Sequence, residues 1–433
     1  MSCRRAITAV DLGLLACVLG VVYVMSPFVI EGDGIARYRA LSRALGDGVL
    51  DRTPYSLVGP LLSAPLWWIG SALGTPEWWV GRFNFVLFVA CLATLYRVLT
   101  PAIDRALIVR FLLLLSVASM FPHHLGRYYG DVATALLIAV GLAVVCVQRS
   151  YWGWLLVVLG AANTPATLVG VGFVSLAWTW RTRDLRHLAP VAAAVALILG
   201  EAWLRRGGPF VTGYEGNRGA ESVLPFSGQP GFSYPFALGV ISILFSFGKG
   251  LLWFAPGLLL WARRPSGSAD DHTDPLGTLL RVYLVFLAGL VLVYANWWAW
   301  YGGVFWGPRF FLFASIPASV AIASRLAGGT RSPSGMAMAA AIITVWSCWV
   351  GASGLVVPTF GLDACTADHY ALEFLCWYVP EFSVLFGPLV DGQPLGSVAR
   401  AVVAGFASIG VYAVAMRPVA ATVGQDSTPH RSL

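Results

Sequence analysis

Residues able to do chemistry gather at four places in this chain. In EGDG, residues 31–34, the carboxylates Glu31 and Asp33 follow directly on an apolar run that ends at Ile30, with Arg37 close behind. A carboxylate at the mouth of an apolar segment is costly to desolvate unless solvated or paired. It is therefore either a segment end neutralised by Arg37 or part of a site. Gly32 and Gly34 bracket Asp33 and would let backbone or substrate come close. In PHHLGRYYGD, residues 122–131, His123, His124, Arg127, Tyr128, Tyr129 and Asp131 fill a short connection. Asp131 stands where the next helix would start, a place where Asp serves as N-cap. Adjacent histidines on a helix point apart, which makes them a poor metal pair. In NWWAWYGGVFWGPRFF, residues 296–311, the aromatics, Trp300 and Tyr301 among them, have the character of an interfacial belt. That reading leaves Gly302-Gly303 and Gly307-Pro308-Arg309 unexplained, and an arginine beside a turn can fork onto a phosphate. Lys249, between glycines in SFGKGLLWFAPG, is a cation inside an apolar run. It either snorkels to an interface or serves a site. These residue types suit a reaction that needs a base for a hydroxyl and cations for a phosphate.

Membrane helices must position them. The chain has 433 residues, 58% of them hydrophobic, and a mean hydropathy of +0.74, against about 45–50% apolar residues in soluble domains. The fold class expected is an all-α polytopic membrane protein. Twelve spans are assigned: 7–29, 78–98, 106–121, 131–147, 151–164, 166–180, 188–204, 236–261, 278–296, 309–325, 336–357 and 400–416. With the N-terminus cytoplasmic, Arg4/Arg5, Arg97/Arg105/Arg110, Arg149, Arg181/Arg183/Arg186, Arg263/Arg264, Arg325/Arg331 and Arg417/Arg431 all fall on the cytoplasmic side, as the positive-inside rule requires. That topology leaves 30–77, 122–130, 205–235 and 358–399 outside and returns the C-terminus to the cytoplasm. The net charge of +7 is then a matter of topology, and no nucleic-acid partner is expected. The stretch 54–74 is apolar enough to span but holds Pro54, Pro60 and Pro65, which break helices. It reads as an interfacial or re-entrant piece, preceded by a short interfacial helix over 34–46. Asp11 and Glu201 are acids within spans, and Glu201 is expected to pair with Arg205 or Arg206. A single transmembrane domain over 1–417 is expected, with a polar linker at 265–275 and a disordered cytoplasmic tail over 418–433. Cys365 and Cys376 close a 12-residue loop in the outer segment 358–399. An oxidising compartment would permit their pairing, although spacing alone does not establish it.

Taken in order, EGDGIARYRALSRALGDG, PYSLVGPLLSAPLWWIG, VGRFNFVLFVACLATLYRVL, RYYGDVATALLIAVGL, FGKGLLWFAPGLLL and WWAWYGGVFWGPRFFLFASIP resemble the GT-C superfamily. These are integral-membrane glycosyltransferases that use polyprenyl-phosphate sugars, of the protein-O-mannosyltransferase and aminoarabinose-transferase type. The likeness spans roughly residues 7–325. It implies an inverting transfer at the outer face of a bacterial inner (plasma) membrane, with membrane lipids and a polyprenyl-phosphate sugar as partners. By motif position, Asp33 would be the base. Asp131 would orient the acceptor or, with Asp33, hold a divalent cation if one is used. Arg309, Lys249 and Arg127 would meet the donor phosphate. Glu31, Arg37, Tyr128, Tyr129, Trp300 and Tyr301 would contact substrate. The chain departs from the family pattern in two places. Gly32 separates acids that members often carry side by side, and Asn163-Thr164-Pro165 stands where many relatives have a basic residue before the proline. Three further readings remain: a transporter or flippase, which would have polar residues near the midplane in two repeated halves; a non-catalytic membrane partner; and an acyltransferase using His124 and Asp131.

Overall fold

The computed structural model describes residues 2–224, 226–260, 274–327, 334–392 and 394–416. The tail over 418–433 lies outside the described residues, as does the linker at 265–275 except for its last two. Arg263, Arg264, Arg331, Arg417 and Arg431 are outside them as well.

The described residues are helical and contain no strand, only the isolated bridges Val29–Arg127 and Arg218–Pro230. The longer helices are α1 (Ser2–Met25), α2 (Asp33–Ser42), α3 (Ala64–Ala72), α4 (Phe83–Leu99), α5 (Arg105–Val117), α6 (Gly130–Val147) and α7 (Trp152–Asn163). They continue as α8 (Leu168–Thr182), α9 (Ala189–Arg206), α10 (Phe236–Phe245), α11 (Pro275–Tyr294), α12 (Ser315–Ala327), α13 (Ser334–Val356) and α14 (Ser397–Ala415). Among the described residues seven helices are long and apolar enough to cross a membrane: Ala6–Met25, Gly130–Val147, Leu185–Arg206, Pro275–Tyr294, Arg309–Ala327, Gly335–Val356 and Ser397–Ala415. This is the pattern of a polytopic membrane protein. Phe83–Leu99, Trp152–Asn163 and Phe236–Phe245 are shorter apolar helices.

Prolines set several of the breaks. The stretch 54–74 folds as the short helix Val58–Leu62 followed by α3, each with a proline inside it, and not as one span. At Asn163-Thr164-Pro165 the chain leaves α7 with Thr164 extended and enters a 3₁₀ turn, so two helices meet there. The interfacial helix expected over 34–46 is α2, which passes into a π-turn at Arg43–Asp47. The span expected over 236–261 is instead broken. Helix α10 ends at Phe245, a non-helical stretch carries Lys249, and only the short Leu251–Phe254 and the 3₁₀ turn Pro256–Leu259 follow.

Helix α6 lies at the centre, with 83% of its apolar window buried, whereas the windows in α1, α9 and α14 are 22% buried and leave apolar faces uncovered. Small residues let α6 and α7 approach: a side chain at Gly153 would run into the Gly141 carbonyl. In the N-terminal half of α1, Asp11 forms a buried pair with Arg110, Oδ2 to Nε at 2.9 Å, and Arg110 also donates to the carbonyls of Ala413 and Met416 at 2.8 and 3.0 Å. Arg110, counted in the sequence among the cytoplasmic arginines, is thus buried. It joins α1, α5 and the end of α14.

Candidate active site

The chain leaves α1 through Ser26–Ile30 and lies beside residues 126–129. Val29 N–H donates to the Gly126 carbonyl at 3.0 Å, and Asn84 Nδ2 donates to the carbonyls of Arg127 and Tyr129 at 2.6 and 2.9 Å. This brings the first two polar clusters together. Asp33 opens α2, and Gly32 before it has φ of 52°, a conformation that glycine takes readily. The glycines around Asp33 admit the protein's own chain rather than substrate: a side chain at Gly34 would collide with the Tyr128 carbonyl, and one at Gly32 would crowd the Phe305 ring.

Asp33 does not pair with Arg37. Its Oδ2 accepts from Arg309 Nη2 at 2.7 Å, and its Oδ1 accepts from the Tyr55 hydroxyl at 2.7 Å. Burial pushes the Asp33 carboxyl up, but the Arg309 guanidinium and the Tyr55 hydroxyl outweigh it and hold the group below the usual carboxylate value. Glu31 pairs with Arg127, Oε1 to Nη1 at 2.6 Å, and accepts from the Tyr129 hydroxyl at 3.1 Å. Arg37 turns toward Asn163 Oδ1 (3.3 Å) and the Ser56 carbonyl (3.5 Å), with its guanidinium 5.0 Å from the Tyr55 ring.

Arg309 is buried at the entry to the span Arg309–Ala327, within reach of the faces of Phe305 (4.6 Å), Phe310 (5.2 Å) and Tyr129 (5.4 Å). Its Nε donates to the Gly302 carbonyl at 2.5 Å. Nη1 has no partner among the described residues. Asp131 is not the N-cap of α6, because Tyr129 holds that position and Asp131 lies in the first turn. The charges that act on its carboxylate are those of Arg309, Arg37 and Asp33. A small cavity is lined by Asp131, Thr134, Thr164, Arg309 and Phe310. Asp33 and Asp131 thus both answer to Arg309, and a cation shared by the two acids would compete with that guanidinium. Among the described residues no group of three or more His, Cys, Asp or Glu is arranged to hold a metal.

Lys249 does not line this cavity. Its ammonium donates to the carbonyls of Phe305 (2.6 Å), Gly307 (2.8 Å) and Gly303 (3.1 Å), which uses all three of its protons. Gly302, Gly303 and Gly307 have φ of 76°, 86° and 65°, and so turn this loop about the ammonium. Lys249 therefore does not meet a donor phosphate directly in this arrangement. It holds the loop from which Arg309 emerges. Nor does it snorkel, being 1% exposed.

Tyr128 is packed away against Ser63, hydroxyl to hydroxyl at 2.8 Å, and against the Phe83 ring. Trp300 and Tyr301 line a separate cleft. His123 Nδ1 bonds the Gly354 carbonyl at 2.8 Å, and burial, then the Arg127 charge, pushes His123 down to about 3. The His123 and His124 rings lie at 87° to one another, and neither nitrogen of His124 has a hydrogen-bond partner among the described residues, so no His124–Asp131 couple exists.

Residues that sequence reasoning did not single out complete the site. Tyr55 is presented by residues 51–57, which Arg205 and Glu201 grip from α9. Arg205 donates to the Asp51 and Tyr55 carbonyls at 2.9 and 2.7 Å and to Glu201 at 2.5 Å, and Glu201 accepts from Leu57 N–H and Ser56 Oγ, both at 2.6 Å. The expected Glu201–Arg205 pair exists, and it sets the position of Tyr55. Asn163 accepts from Arg37 and Gly59 N–H and donates to the Gly130 carbonyl (2.9 Å) and Thr134 Oγ1 (2.8 Å). A departure from the family pattern at this position was its only signal. Tyr214 in the connection 207–235 sets its ring 6.3 Å from Tyr55 and 6.0 Å from Trp297. No protein-family model, curated protein or solved structure matches this chain.

Proposed function

We propose that this protein is a membrane glycosyltransferase that moves a sugar from a polyprenyl-phosphate donor to an acceptor hydroxyl. The reaction is an inverting displacement at the extracytoplasmic face of a bacterial inner membrane. The proposal includes a GT-C-like arrangement of about twelve spans with both termini cytoplasmic. The single observation that carries it is the Asp33–Arg309 pair: a depressed carboxylate just after the first membrane helix, ion-paired to a buried arginine with one free terminal nitrogen. In the displacement, the acceptor oxygen bonds to the anomeric carbon as the bond from that carbon to the phosphate oxygen breaks. The hydroxyl proton goes to Asp33, and polyprenyl phosphate leaves with the electron pair. A carboxylate held below its usual pKa is a weak base. Donor phosphate drawing Arg309 away from Asp33 would both neutralise the leaving group and restore the basicity of the carboxylate. Asp131, which lines the cavity together with Arg309, orients the acceptor.

The test is transfer of radiolabelled sugar from a panel of polyprenyl-phosphate sugars in membranes carrying wild type or Asp33→Asn at matched expression. Transfer that vanishes in the variant supports the reading. Transfer that survives moves the base to Asp131. No transfer from any donor by folded protein rejects the enzyme in favour of a transporter or a partner role.

A further inference from the structure

A second cleft lies apart from Asp33, where residues 219–224, 226–228 and 373–377 cover the aromatic segment 298–301. Trp298, Tyr301 and Trp377 form its walls, and Glu373 is its acid. Glu373 Oε1 accepts from the Tyr301 hydroxyl at 2.9 Å. Oε2 has no partner among the described residues. The Trp298 indole N–H is buried in the wall and has no hydrogen-bond partner among the described residues, although buried tryptophan N–H groups usually find one. The Cys365–Cys376 disulfide, with Cα atoms 6.0 Å apart, closes the loop that carries Glu373.

This combination of aromatic faces, a carboxyl group and an unused N–H selects a ligand with apolar C–H faces and a rim of hydroxyls. A cationic ligand fits less well, because the Lys249 ammonium already stands 5.0 Å from the Trp377 ring, whose other stacking partner is Tyr301 at 4.4 Å. Burial raises the Glu373 carboxyl to about 7, against the Tyr301 hydrogen bond and the Lys249 charge. Near neutral pH it can therefore donate to a hydroxyl as well as accept from one. Tyr214, between Tyr55 and Trp297, bridges the two regions.

We propose that this cleft binds a neutral sugar ring, which stacks on Trp298 and hydrogen-bonds Glu373, and that this sugar belongs to the acceptor. The sugar site stands on the cleft alone, and only its assignment to the acceptor rests on the transferase reading. The experiment titrates protein in lipid nanodiscs with neutral methyl hexopyranosides and, in parallel, with the amino sugar glucosamine, following tryptophan fluorescence. The expected result is saturable binding of at least one neutral glycoside, weakened about tenfold or more by Trp298→Ala. Glu373→Gln, which keeps the Tyr301 contact, should weaken it several-fold, and Asp33→Asn should leave it unchanged. No saturable response to any neutral glycoside overturns the site, as does equal binding by wild type, Trp298→Ala and Glu373→Gln, or a preference for glucosamine. Binding that behaves as expected in a protein with no transferase activity keeps the sugar site and removes the acceptor assignment. Transfer with no glycoside binding removes the sugar site, and its acceptor assignment with it, and leaves the transferase reading standing.

Discussion

At the residue scale the chemistry turns on how Arg309 is shared. Asp33→Asn keeps the shape and the Tyr55 contact but removes both the proposed proton acceptor and the charge that holds Arg309. Transfer should fall by about 10²–10⁴, the range for loss of a general base, measured as initial rates at matched protein. Because Arg309 and Tyr55 hold the Asp33 carboxyl below the ordinary aspartate value, Asp33 stays ionised as pH falls. The acid limb of kcat/KM should lie below about pH 4, and a limb near pH 6 would sink Asp33 as the base. Arg309→Lys replaces a fork by a point charge and loses the Nε contact to Gly302. It should lower kcat by about 10²–10³, and an unchanged kcat with a raised KM would restrict Arg309 to ground-state binding. The two acids and Arg309 were legible because charges are scarce in an apolar chain. Their pairing was not. Arg37 is the near neighbour of Asp33 in sequence, yet the partner comes from beyond residue 300, because Asn163 and the Ser56 carbonyl take the Arg37 guanidinium.

At the element scale the loop 302–308 shows how a buried cation can act without touching substrate. Without the Lys249 ammonium the Phe305 carbonyl would lose its donor, the carbonyls of Gly303 and Gly307 would keep only the backbone N–H groups of Phe305 and Arg309, and Arg309 is the next residue but one after the last of them. Lys249→Met should therefore lower thermal stability and lower transfer through a misplaced Arg309. Its donor KM should rise along with the fall in kcat, because the phosphate contact is displaced and not removed. Intact stability with wild-type kinetics would show that the loop holds its shape unaided. The same lysine explains a misread element. Proline and Asn-Thr-Pro signals made the breaks at 54–74 and 163–165 legible. Residues 236–261 looked continuous because the helix ends there for tertiary reasons: Lys249 reaches a remote loop, and Gly248 N–H donates to the Trp377 carbonyl at 3.1 Å. No local propensity encodes either contact.

At the scale of the whole molecule, the Asp11–Arg110 pair joins helices from the start, the first third and the end of the chain. Charge counting assigned Arg110 to the cytoplasmic side, whereas the structure buries it against Asp11; topology rules count charges and do not see partners. Both side chains are fully buried and Arg110 also holds two carbonyls of the C-terminal segment. Each charge is therefore tolerable only because the other is present. Removing one partner from such a pair costs about 3–5 kcal/mol, whereas replacing both by apolar groups is often neutral. Asp11→Leu and Arg110→Met should each lower the melting temperature in detergent sharply, and the double variant should recover much of the loss. The recovery should fall short of complete, because the carbonyls of Ala413 and Met416 lose their donors in either background. Additive single and double losses would show instead that the pair contributes no mutual stabilisation and that the carbonyl contacts alone hold the last helix. The site should respond in one direction only. The pair lies about four turns of α1 and a connection away from Asp33 in the chain, so any variant that still folds should keep the pH profile of transfer unchanged while losing thermal stability.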